Sequence, residues 1–131
     1  MFKTDRGENP LVLETCESIE LEMKVIFNKG LNGLIYGLTI RTVDGVIVFG
    51  ANTRNRGIKT KTRNEGEIAW IRFMFDLNLL PGEYFLSLGI AQDDDDVDNR
   101  AIDRRYDLVH FTVQGALNDL GFAALNMKIT E

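Results

Sequence analysis

Apolar and polar side chains take turns along most of this chain, and that period of two decides what it can fold into. In SIELEMKVIF (residues 18–27), Ile19, Leu21, Met23, Val25 and Phe27 alternate with Ser18, Glu20, Glu22 and Lys24 until Ile26 interrupts. A strand sends successive side chains to opposite faces, so the pattern predicts a strand with one buried and one wet face. LIYGLTIR (34–41) repeats it, with Leu34, Tyr36, Leu38 and Ile40 on one side and Ile35, Gly37, Thr39 and Arg41 on the other. EIAWIRFMFD (67–76) sets Ala69, Ile71, Phe73 and Phe75 against Ile68, Trp70, Arg72 and Met74. EYFLSLGIA (83–91) sets Tyr84, Leu86, Leu88 and Ile90 against Phe85, Ser87, Gly89 and Ala91. In YDLVHFTV (106–113), Val109, Phe111 and Val113 oppose Leu108, His110 and Thr112.

Turn chemistry separates these runs. NKGLNG (28–33) and Asp44-Gly45 supply glycines able to take positive φ, and Asp44-Gly45 predicts a hairpin returning through Val46–Ala51. In LLPGEYFL (79–86), Pro81 fixes φ, Gly82 relieves the bend, and the Tyr84 hydroxyl is placed to bond nearby backbone. That combination resembles the corner where an Ig-like chain crosses between sheets. LVLE (11–14) reads as a short strand after Pro10, and FAALNMKI (122–129) as a strand or a short helix. Seven to eight short strands with no amphipathic helix predict an all-β fold, an antiparallel β-sandwich of Ig-like or jelly-roll type. Residues 1–131 are read as a single domain, a length that buries one proper core.

Composition narrows the function. A formal charge of −5 opposes nucleic-acid binding, which draws its affinity from phosphate neutralisation. RNRGIKTKTR (54–63) holds five cations and DDDDVD (93–98) five carboxylates, and both read as solvated loops. No apolar run is long enough to span a bilayer, so membrane insertion is not expected. MFKTDRGENP lacks the cationic and apolar regions of a secretory signal, and Cys16 has no second cysteine to pair with, so a cytoplasmic location is expected. Enzyme signatures are sparse. His110 is the sole imidazole, which leaves a zinc or cupin-type site without ligands, and no cofactor is expected. No Gly-x-Ser-x-Gly or phosphate loop occurs. Asp94, Asp96 and Asp98 begin like a calcium loop, but Asn99 and Arg105 occupy the positions that need glycine and glutamate.

The strand faces turned away from the core carry the better signal. If the Pro81-Gly82 corner switches sheets, strands 34–41, 83–91 and 106–113 share one sheet. Gly37, Thr39, Ser87 and Gly89 then form a low floor, with Phe85, His110 and Arg41 standing around it. An aromatic face packs on pyranose C–H groups while polar groups orient hydroxyls, so this is a candidate carbohydrate groove. An ordinary sheet face, or one covered by a loop or partner, fits the same pattern. Trp70 and Arg72, on the opposite sheet, are a second candidate for sugar contact; they equally suit a dimer contact or a place under the basic loop.

In order along the chain, LVLETCESIELEMKVIF, IYGLTIRTVDGVIVFGANT, LNLLPGEYFLSLGIA and YDLVHFTV resemble the Wzt C-terminal family, over roughly residues 10–114. These are carbohydrate-binding domains of the ATP-binding subunits of bacterial O-antigen polysaccharide ABC transporters. The resemblance implies a non-catalytic β-sandwich that binds lipid-linked O-antigen polysaccharide, in some members its modified non-reducing end, for export. It implies as partners the transporter's ATPase domain and membrane subunit, at the cytoplasmic face of the inner membrane. It also implies a homodimer, in some members with an exchanged terminal strand, which suits the glycine-flanked joint 115–121 and makes 115–131 the segment to exchange. Walker motifs are absent, so the chain would be the recognition half alone. The family carries over no sugar contact or catalytic residue. The alternative function is a protein-interaction β-sandwich module, with the exposed aromatic patch meeting another polypeptide.

Overall fold

The computed structural model describes residues 2–4, 7–8, 12–94 and 97–131, and the strands follow the alternation. In chain order they are β1 (Phe2–Thr4), β2 (Gly7–Glu8), β3 (Val12–Glu14), β4 (Ser18–Ile26), β5 (Leu34–Thr42), β6 (Ile47–Asn52), β7 (Ile68–Asp76), β8 (Gly82–Asp94) and β9 (Val97–Gln114). A four-stranded sheet, β2-β1-β4-β7, faces a five-stranded one, β3-β9-β8-β5-β6. Strands 34–41, 83–91 and 106–113 therefore do share a sheet. The fold is an all-β sandwich, and among the described residues no helix is long and apolar enough to cross a membrane.

The inward sets meet between the sheets. Leu21, Leu38, Ile40, Leu86 and Phe111 form one buried cluster, and Phe27, Tyr36, Ala69 and Ile90 a second. Met23 and Phe73 pack against both, so the two clusters make one continuous core. The chain crosses between sheets after β7, where the Tyr84 hydroxyl donates to the Leu80 carbonyl at 2.7 Å and is buried. Replacing Tyr84 by Phe removes that bond and leaves the carbonyl unsatisfied. It is expected to lower unfolding stability by about 1 kcal/mol, checked by urea denaturation. The Asp44-Gly45 hairpin forms as predicted: Gly45 has φ 90°, and the Thr42 N–H donates to the Val46 carbonyl at 2.9 Å.

Two expectations need correction, and the structure adds a parallel pairing and two short amino-terminal strands to the predicted sandwich. The sheets are not purely antiparallel, because β3 runs parallel to the end of β9, pairing Leu13 with Val113. The acidic run is not simply a loop: β8 and β9 extend through it to pair Asp94 with Val97, making a long hairpin whose tip, residues 95–96, lies outside the described residues. The calcium reading there, which includes Asp96, falls on that tip. FAALNMKI is neither a strand of a sheet nor a helix. It makes one bridge, Ala123 with Leu79, and buries Ala124 before running on exposed. Lastly, β1 and β2 form in an amino-terminal stretch whose sequence shows no alternation. The basic segment 54–63 is a loop, as expected.

Candidate functional site

Cross-strand register turns the outer face of the five-stranded sheet into rows. One row runs Asn52–Gly37–Gly89–Arg104, from β6 through β5 and β8 to β9. Two adjacent glycines in strand interiors leave the middle of the sheet bare, while Asn52 and Arg104 stand at its sides. Wall to wall is three strand spacings, roughly 14 Å. In the next row, Gly50 pairs with Thr39 and Thr39 with Ser87. The result is a groove of about 560 Å³, within the range of small-molecule sites. Asn55 and Tyr106 complete its polar and aromatic rim.

A bulge builds the β9 wall. Leu86 pairs with Val109 but Leu88 with Arg105, so residues 106–108 all lie opposite Ser87. Asp107 absorbs the excess by taking φ 51°, and its N–H donates to the Ser87 hydroxyl at 2.8 Å. Its carboxylate receives a forked pair of bonds from Arg41, Nε to Oδ1 at 2.6 Å and Nη2 to Oδ2. Bulges re-aim side chains, and this one carries Tyr106 over the floor, 70% exposed. Arg104 steadies the ring by donating from Nη1 to the Tyr106 hydroxyl at 3.3 Å. The bonds from Arg41 hold the Asp107 carboxyl below its ordinary range and raise the Arg41 guanidinium. A depressed carboxyl supports the fold above its unfolded value and loses that support as pH falls through its folded one. Asp107 is therefore expected to titrate below the ordinary aspartate range, with the Ser87 and Tyr106 resonances moving together, as read by an NMR pH titration. Titration at the ordinary value would show the fork does not hold.

The sequence-predicted residues fall in three places. Thr39 and Ser87 line the groove floor, as do Gly37 and Gly89. Arg41, Phe85 and His110 pair in register into a stack one row beyond Thr39–Ser87, outside the groove's lining: Arg41 lies 4.8 Å over the Phe85 ring, and the His110 ring 4.8 Å from it. Both faces of Phe85 are thereby engaged, so a sugar there meets a ring edge beside two polar groups. His110 Nε2 lies 2.6 Å from Glu83 Oε2, and Thr112 donates to Glu83 at 2.9 Å. Trp70 and Arg72 point outward from the other sheet, on β7 and apart from the groove, with Lys24 5.5 Å over the indole and Arg72 3.7 Å from Glu20.

Two outward residues are not simply exposed. Ile35 lines the same groove but is buried, at the end of β5 where the basic loop is bonded back through the Thr53 N–H to the Tyr36 carbonyl and the Thr60 hydroxyl to the Leu34 carbonyl. Leu108 is turned by the bulge toward a cleft between the sheets, beside Met23 and Arg105. Sequence reading missed Asn52, Asn55, Arg104 and Tyr106. Their one sequence signal was the set of glycines at 37, 50 and 89, each in the interior of a strand. Among the described residues, no group of three metal-ligating side chains is present.

A two-layer β-sandwich with a groove across one outer sheet face is the class of protein that this fold defines. The model of the Wzt C-terminal domain matches residues 1–125, and the chain belongs to that family. Among solved structures, one described as the crystal structure of the C-terminal domain of Wzt is 25% identical. It matches with a TM-score of 0.89, over 99% of this chain and 79% of the other. No curated protein matches the chain significantly.

Proposed function

We propose that the chain is a non-catalytic module that binds lipid-linked O-antigen polysaccharide, its modified non-reducing end included, for export by an ABC transporter. The observation that carries this is the bare Gly37–Gly89 floor between Tyr106, Arg104 and Asn52: a flat site with one aromatic ring and amides suits a pyranose. Family membership supports the transport setting, with the ATPase domain and membrane subunit as partners at the cytoplasmic face of the inner membrane. Thr39 and Ser87 are assigned to the sugar-facing floor, and Arg41, Phe85 and His110 to the row beyond it. The test is an array of O-polysaccharides probed with the chain. Retention of at least one glycan, lost in Tyr106→Ala, is expected; an array that stays blank removes the reading.

A homodimer is part of the proposal. Leu125, Met127 and Ile129 alternate along the terminal segment and are 79%, 74% and 84% exposed. An apolar slot of about 370 Å³ lies where β6 and β7 end their sheets, lined by Val48, Phe49, Phe75 and Leu79. Exchange of residues 125–131 between copies would bury those side chains there. Single-site binding near the millimolar level, about 4 kcal/mol, gains from two grooves on one polymer. A chain ending at Ala124 is expected to be monomeric by light scattering where the full chain is dimeric.

One observation favours a second contact, with protein. Ile26 and Ile68 pair on the outer face of the four-stranded sheet and are 60% and 49% exposed, beside Trp70 at 55% and Met74 at 75%. Exposed apolar side chains of this size, interleaved with Lys24, Glu22, Arg72 and Glu20, fit a protein contact better than a sugar. Trp70→Ala is expected to leave glycan binding unchanged if the face serves protein, and to weaken it if Trp70 and Arg72 touch sugar.

A further inference from the structure

Resting on the glycan reading, we infer that the groove takes an acidic sugar, with Arg104 as the counter-ion of its carboxylate or phosphate. The chain has 20 acidic residues against 15 basic ones, so outside the basic loop 54–63 an anionic polymer meets a surface of net negative charge. The groove departs from that background. Among its described lining residues there is no carboxylate, and Arg104 is the one charge. A groove built for neutral hydroxyls gains from acidic acceptors, and none is present here.

The charges near it are disposed to keep it so. Asp107, the carboxylate next to Tyr106, is turned away and neutralised by the fork from Arg41. Asp103 sits on the inward side of β9, lining the cleft between the sheets with Arg105 and within 3.4 Å of it. Asp93 lies 3.5 Å from Arg54. Arg104, by contrast, pairs with no carboxylate among the described residues; it donates instead to the Tyr106 hydroxyl, a neutral group. That bond uses one of its five donors and leaves the guanidinium planar face and fork available above the Gly89 floor. A fork of N–H donors matches a carboxylate or phosphate bidentately, which a hydroxyl cannot reproduce. With the sugar ring on Tyr106, its acidic substituent reaches Arg104 from the same strand face, because residues 104 and 106 both line the groove.

The test uses the full chain and O-polysaccharide purified from the strain that encodes it, in four forms: untreated, carboxyl-reduced, phosphate-stripped, and both. Titration calorimetry at low and physiological salt is expected to show at least a tenfold loss in one stripped form, and that form names the carboxylate or the phosphate as the source. Arg104→Gln is expected to lose the same factor on the untreated polymer and clearly less on the stripped one, where only its support of the Tyr106 ring is lost. Arg104→Lys, which keeps charge without the fork, is expected to fall between. Equal binding of all four forms, or an untreated polymer that carries no acid, overturns the acidic-sugar inference and leaves the glycan reading standing. Absence of binding in every form overturns both.

Discussion

Gly89→Leu is expected to abolish glycan binding, raising Kd at least tenfold, about 1.4 kcal/mol, while the protein stays folded. Gly89 occupies the centre of the floor, between Gly37 and Arg104. A Cβ built there meets nothing closer than the Asp103 carbonyl at 3.8 Å and Arg104 Cγ at 4.0 Å, ordinary contact distances. The isobutyl group therefore enters the space meant for the ligand without disturbing the backbone. Glycine is a poor strand residue, so stability is expected to hold or rise slightly. The neighbouring glycine makes the contrast: a Cβ at Gly37 falls 3.0 Å from Asn52 Cβ and 3.3 Å from the Ala51 carbonyl, so substitution there strains the β5–β6 pairing as well. Calorimetry paired with a thermal melt separates the two. Unimpaired binding by Gly89→Leu would place the ligand elsewhere.

Leu86→Ala is expected to have the largest effect on stability, about 3 kcal/mol. Leu86 is 0% exposed on the inner face of β8, the middle strand of the larger sheet, packed in the cluster with Leu38, Ile40 and Phe111. Paired strands β5 and β9 hold it from both sides, so the space left by the lost carbons collapses little. A domain with roughly 5–15 kcal/mol in hand loses a large share of it, and the melting temperature is expected to fall by roughly 10 °C. Met74→Ala, at a side chain 75% exposed, is expected to change stability by less than about 0.5 kcal/mol. Urea unfolding of both reads the difference. Similar costs for the two would mean that the inward and outward sets are misassigned.

Most of the fold was legible because its strands alternate cleanly. From Ile19 to Val113, nearly every inward residue named from the sequence is buried or packed against the core. The first half of β9 was hidden, since VDNRAIDRR offers no apolar alternation; it pairs along β8 as one arm of a hairpin and needs little core face. The site was half legible for the same reason. Its floor, on regular strands, was found from Gly37, Thr39, Ser87 and Gly89. Its β9 wall was not, because a three-residue bulge cannot be seen in a pattern of two, and the bulge decides where Tyr106, Asp107 and Leu108 point. Arg41 and Ser87 illustrate the consequence. Both were read as facing sugar, and both also hold the bulge through Asp107. The terminal segment read as a strand or a short helix, yet among the described residues it joins no sheet, and Leu125, Met127 and Ile129 lie exposed.

Amide chemical-shift mapping with the strain's own O-polysaccharide tests the glycan groove most directly. Perturbations centred on Gly37, Gly89 and Tyr106, fading toward Trp70 on the opposite sheet, are the predicted result. Shifts centred on Trp70 and Arg72 with the glycine row unmoved would contradict it.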